Sequence, residues 1–121
     1  MLGDKEKQTI VRSMLPVLPK DDRPVYIKFK DRCYAQEVVS KAMMECLEEI
    51  LTQIIDTSKT PQSILMRIAA FQKDPENRVK IWTEAFRRVL LREKQLPEDM
   101  VQQKHKGKCL VVRIEDISSP R

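Results

Sequence analysis

Few residues in this chain are of types that do chemistry, and their spacing narrows the options further. His105 is the only histidine, in Lys104-His105-Lys106, and Cys33, Cys46 and Cys109 are widely separated with no Cys-x-x-Cys pair. Structural zinc needs several closely spaced Cys or His ligands, and a histidine-based triad needs its base held against a nucleophile by a third group. Neither pattern is present. The three thiols are expected to be reduced and packed as small apolar side chains. Glu48-Glu49 and Glu98-Asp99 are paired carboxylates, but neighbouring residues on a helix point in different directions. The only glycines are Gly3 and Gly107, so no glycine-rich loop can bring backbone N–H groups against a phosphate. The expectation is a non-enzymatic protein that uses no metal, cofactor or small-molecule substrate.

Binding chemistry remains, and two surfaces compete for it. One is basic. Arg78, Lys80, Arg87, Arg88, Arg92 and Lys94 lie on the outer side of a predicted helix over 75–94, and Lys80, Arg87 and Lys94 recur every seven residues. Lys104, Lys106 and Lys108 add a basic turn, so together these cations could follow the phosphates of DNA or RNA. Glu84 lies four residues from both Lys80 and Arg88, and such pairing would make the stripe an ordinary solvated helix face.

The other surface is suited to a protein partner. Tyr26, Lys28 and Lys30 share one side of a predicted strand, with Val111 and Arg113 on the neighbouring one, where an incoming peptide could add a strand. Met66 and Met100 offer adaptable apolar contacts for a partner helix, which could also lie between the helices at 61–72 and 75–94. The expected partner is another protein supplying a peptide, helix or strand, or a second copy in a homodimer. Nucleic-acid binding is the alternative. The net charge of +5, from 23 basic and 18 acidic residues, is compatible with both.

These side chains must be held by a fold that the pattern describes in some detail. A first helix over 4–15 carries Ile10, Val11, Met14 and Leu15, with Asp4 as its N-cap, and Pro16 and Pro19 end it. Residues 25–30 alternate, with Val25, Ile27 and Phe29 inward, and residues 110–115 do the same with Leu110, Val112 and Ile114. Over 33–57, apolar doublets recur every four residues from Val38/Val39 to Ile54/Ile55, which predicts a central helix with a wide apolar face. Thr60-Pro61 and Asp74-Pro75 each place a capping oxygen before a proline at the first helical position. The helices they open point Ile64, Leu65, Ile68, Ala69 and Phe71 inward in one, and Val79, Trp82, Ala85, Phe86, Val89 and Leu90 inward in the other. A short helix is expected from Pro97 to just before Gly107.

The predicted class is α+β, predominantly helical, with four or five helices and a small two-stranded sheet pairing 25–30 with 110–115. Residues 1–117 are expected to form one domain, with 118–121 a linker in a longer parent protein. No apolar run could span a bilayer, and the charged N-terminus lacks the apolar stretch of a signal peptide. An intracellular setting, nuclear or cytoplasmic, is the corresponding expectation.

Overall fold

A computed structural model describes residues 3–101 and 108–118 as a mostly helical α+β arrangement. In chain order it contains α1 (Asp4–Met14), β1 (Val25–Phe29), β2 (Arg32–Ala35), α2 (Gln36–Thr57), α3 (Pro61–Lys73), α4 (Pro75–Leu91), β3 (Leu110–Arg113) and α5 (Ile114–Ser118). Single 3-10 turns at Glu93–Gln95 and Glu98–Met100 lead away from α4.

The doublets of α2 make it the centre of the molecule. They bury Val39, Ala42, Met43, Cys46, Leu47, Leu51 and Ile54, a face wide enough for α1, α3, α4 and the sheet all to pack against it. From the opposite side α4 contributes Ile81, Trp82, Ala85, Phe86 and Val89. The Phe86 ring lies 5.4 Å from that of Phe29 and 6.0 Å from that of Tyr34, so one side chain joins the helical layer to the sheet. Each fully buried side chain of this size contributes about 1.5–3 kcal/mol of burial free energy.

Both proline-marked helix starts form as expected. Thr60 accepts a hydrogen bond from the Ser63 backbone N–H and Asp74 accepts one from that of Glu76, each at 3.0 Å. The start of α1 differs: Gly3 takes the cap position without a side-chain bond, and Asp4 sits inside the first turn. A carboxylate is favourable there too, because it faces the positive end of the helix dipole.

The sheet order is β2-β1-β3. β1 and β3 pair in parallel with Val25 opposite Leu110 and Ile27 opposite Val112, so the two alternating segments meet with their apolar faces on one side. The helical block forms the crossover between them. A third strand joins this expected pair: residues 33–35 are β-structure, and α2 begins only at Gln36. β1 and β2 form a hairpin in which Phe29 faces Arg32, and Lys30 in its turn adopts a left-handed φ of 58°.

Several expected orientations are corrected. Ile114 is buried but opens α5 instead of continuing β3. The helix at 75–94 is α-helical only to Leu91. Of the helix predicted beyond Pro97, the described part is the 3-10 turn at 98–100, and the rest lies outside the described residues. Leu65, Ala69, Val79 and Leu90 face outward instead of inward. Finally, Tyr26 is not on an open face but 2% exposed, in a second apolar cluster with Cys33 and Ala35.

Candidate functional site

The strand platform is largely covered. Val38, Met100, Cys109 and Val111 pack onto the cluster of Tyr26, Cys33 and Ala35, so Tyr26, Met100 and Val111 fill a second small core. Lys28 is half-buried, and Lys30 is exposed with its Nζ 5.4 Å from the Phe29 ring. Arg113 is exposed and lies 3.8 Å from Glu115. On the far side of the hairpin, Tyr34 forms a bridge with Val101, so the β2 edge is partly occupied. Burial, followed by the nearby Cys109 thiol, pushes the Cys33 thiol up to about 11, so it is not a thiolate at neutral pH. Burial also pushes Tyr34 up to about 12, helped by the hydrogen bond its hydroxyl donates to Glu93 at 2.8 Å.

The basic stripe divides into two groups. Arg88 is the inner one, its side chain 16% exposed, and it grips Glu49 through two bonds of 2.7 and 2.8 Å. Its Nε donates to Glu84 at 3.1 Å, and Arg87 makes two further bonds to the same carboxylate. Arg92 reaches Glu45 at 2.7 Å. Arg88 and Arg92 therefore tie α4 to α2 across the surface of the core. The Glu84 carboxyl is held down to about 2, first by Arg87 and then by Arg88, while Arg92 lowers Glu45 and Arg88 lowers Glu49. Glu84 thus meets Arg88, as its spacing suggested, but its second partner is Arg87 and not Lys80. Arg78, Lys80 and Lys94 have no ion-pair partner among the described residues. Lys108 is exposed, whereas Lys104 and Lys106, with His105 between them, lie outside the described residues.

A third surface is more apolar than either. Ile68 is the only buried residue of α3, with Ile64 and Phe71 half-buried beside it. Met66, 72% exposed, lies on the opposite side, one turn before the exposed Ala70, and Leu65, 65% exposed, lies about 100° further round the helix, one turn before the exposed Ala69. Beyond Ala70 the surface falls into a trough between α2, α3 and α4. It consists of two adjoining recesses of about 410 Å³ each, which share Ile50, Phe71 and Asn77. Cys46 and Ile54 extend its floor along α2, and Val79 forms part of its α4 rim. Asn77 donates to the Phe71 carbonyl at 3.1 Å, which fixes the corner where α3 hands over to α4.

Residue type points to Met66, whereas periodicity places Leu65 and Val79 in the core, and both are exposed. A signal was present: Ile64, Leu65, Met66, Ile68, Ala69, Ala70 and Phe71 are more apolar residues than one helix face can hold. Among the described residues, no three His, Cys, Asp or Glu side chains converge as metal ligands, and no helix is long and apolar enough to cross a membrane. Compared with known protein families, curated proteins and solved structures, the chain matches none of them.

Proposed function

We propose that this chain is a non-enzymatic interaction domain, an adaptor or assembly module that binds another protein through the outer side of α3 and the adjoining trough. The observation that carries this is the exposure of Met66 one turn before Ala70, which lines an apolar recess floored by Ile50 and Phe71, with the exposed Leu65 on the next side of α3. Single exposed apolar residues are ordinary, but a run of them continuing into a recess is the form that partner surfaces take. The second core over the sheet supports the same placement, because it occupies the strand face that would otherwise compete.

A photo-activated crosslinker at position 66, compared with one at Glu6 on α1, tests the proposal in cells. The expected result is a discrete protein adduct from position 66 that is absent from position 6 and disappears with Leu65→Glu. Its partner, purified, should bind the chain directly. Equal or no crosslinking at the two positions would contradict the assignment.

Nucleic-acid binding is the second reading, and it is favoured by Arg78, Lys80 and Lys94, cations with no ion-pair partner among the described residues. Lys80→Glu with Lys94→Glu is the clean test, since changing Arg88 would disturb the α2–α4 contact as well. Salt-sensitive oligonucleotide binding that this double variant abolishes would promote the second reading over the first.

A further inference from the structure

We propose that the occupant of the trough is an amphipathic helix from another protein, with acidic residues flanking its apolar ridge. This rests on the interaction reading above and names the partner's chemistry.

The shape of the site favours a helix. Cys46, Ile50 and Ile54 follow one another at four-residue intervals along α2, so the floor runs for about 12 Å, or two helical turns. A ridge of side chains at i, i+3 or i+4, and i+7 covers that length. The walls are three helices, whose backbone groups are bonded within each helix and offer no edge to an extended strand. A strand laid there would bury its own N–H and C=O groups without partners, whereas a helix satisfies them internally.

The charge of the rim selects the flanks. Arg67 stands on the α3 side and Lys80 on the α4 side. Neither meets a carboxylate among the described residues: Arg67 donates to the Ile54 carbonyl, Thr57 and Ser58, and Lys80 has no ion pair. Glu84 is the one acid on the lining, and Arg87 and Arg88 already neutralise it. The rim is therefore positive around an apolar floor, which attracts and orients a helix bearing carboxylates beside its ridge. A second copy of this chain would instead bring an excess of positive charge to a positive rim.

The test uses the full chain and three labelled synthetic peptides of 18 residues, sharing one leucine-and-isoleucine ridge and flanked by glutamate, glutamine or lysine. Fluorescence polarisation should show the glutamate peptide binding about tenfold more tightly than the glutamine peptide, with the lysine peptide weakest, and high salt should narrow the gap. Lys80→Glu should reduce glutamate-peptide affinity about fivefold. Ala70→Trp, which fills the trough from an exposed position, should abolish binding of every peptide while thermal unfolding shows the fold intact. Equal binding of the three peptides, no binding of any, or binding indifferent to both substitutions would overturn the acidic helix. A dimer in sedimentation that Ala70→Trp dissociates would overturn it in favour of a second copy. Capture at position 66 together with failure of all three peptides would leave the interaction surface standing and remove only the helix. Failure of both experiments would remove both.

Discussion

The consecutive helices α3 and α4 start in the same way and end up with opposite roles. Each begins with a capping side chain followed by proline. α4 then buries five side chains and is fastened to α2 by Arg88 and Arg92. α3 buries only Ile68 and turns Leu65 and Met66 to solvent. The contrast shows that local helix signals and tertiary anchoring are independent here. Buried side chains are concentrated where α2, α4 and the sheet meet, and α3 is left with exposed apolar side chains.

The most demanding check of this contrast is to truncate large side chains of the two helices one at a time. Phe86→Ala should cost about 3–5 kcal/mol, or prevent folding, because it empties the junction with Phe29 and Tyr34. Leu65→Ala and Met66→Ala should each stay within about 0.5 kcal/mol of the parent. Urea unfolding measures all three, and comparable losses in the two helices would refute the division.

A smaller difference separates the two arginines that share Glu84. Arg88→Ala leaves Glu49 and Glu84 facing each other at a partly buried contact and should cost about 2 kcal/mol. Arg87→Ala removes an exposed, solvent-screened pair and should lower stability far less than Arg88→Ala does. The same network sets an acid limit. Glu84, Glu45 and Glu49 have carboxyl pKa values depressed in the folded state, from a usual 4.5 to about 2 for Glu84. Their contribution is complete above the unfolded value and is lost as pH falls through the folded one. Unfolding midpoints should therefore drop between about pH 5 and pH 2, and Arg88→Gln should flatten that drop. A midpoint independent of pH over this range would show that the pairs do not contribute.

Hydrogen exchange should separate the helices without any mutation: amides of α3 should exchange before those of α2 and α4. The smallest expected effect is chemical. With Cys33 buried and its thiol raised to about 11, its alkylation at pH 8 should lag far behind that of an unfolded control peptide. Rapid modification would mean that the second core opens readily.

Much of the framework could be read from local pattern. Thr60-Pro61 and Asp74-Pro75 announced two helix starts, the doublets announced the breadth of α2, and two alternating segments announced the β1–β3 pair. β2 was hidden for physical reasons. Cys33, Tyr34 and Ala35 run into α2 with no breaker between them, and the hairpin turn uses Lys30, where a left-handed residue is usually glycine or asparagine. The burial of Tyr26 is not legible because alternation distinguishes two faces of a strand without saying whether the second is covered. Its cover comes from Met100 and Cys109, more than seventy residues further along the chain. The candidate surface on α3 was the least legible part. Its helix is apolar on more than one side, and only the positions of α2 and α4 decide which side is left over.

The most direct test of the account is to measure fold and binding together in the double variant Leu65→Glu, Met66→Glu. The expected result is a thermal midpoint within a few degrees of the parent and complete loss of the partner captured at the α3 surface. A folded double variant that still binds that partner fully would contradict it, and so would a variant that fails to fold, since these side chains would then belong to the core.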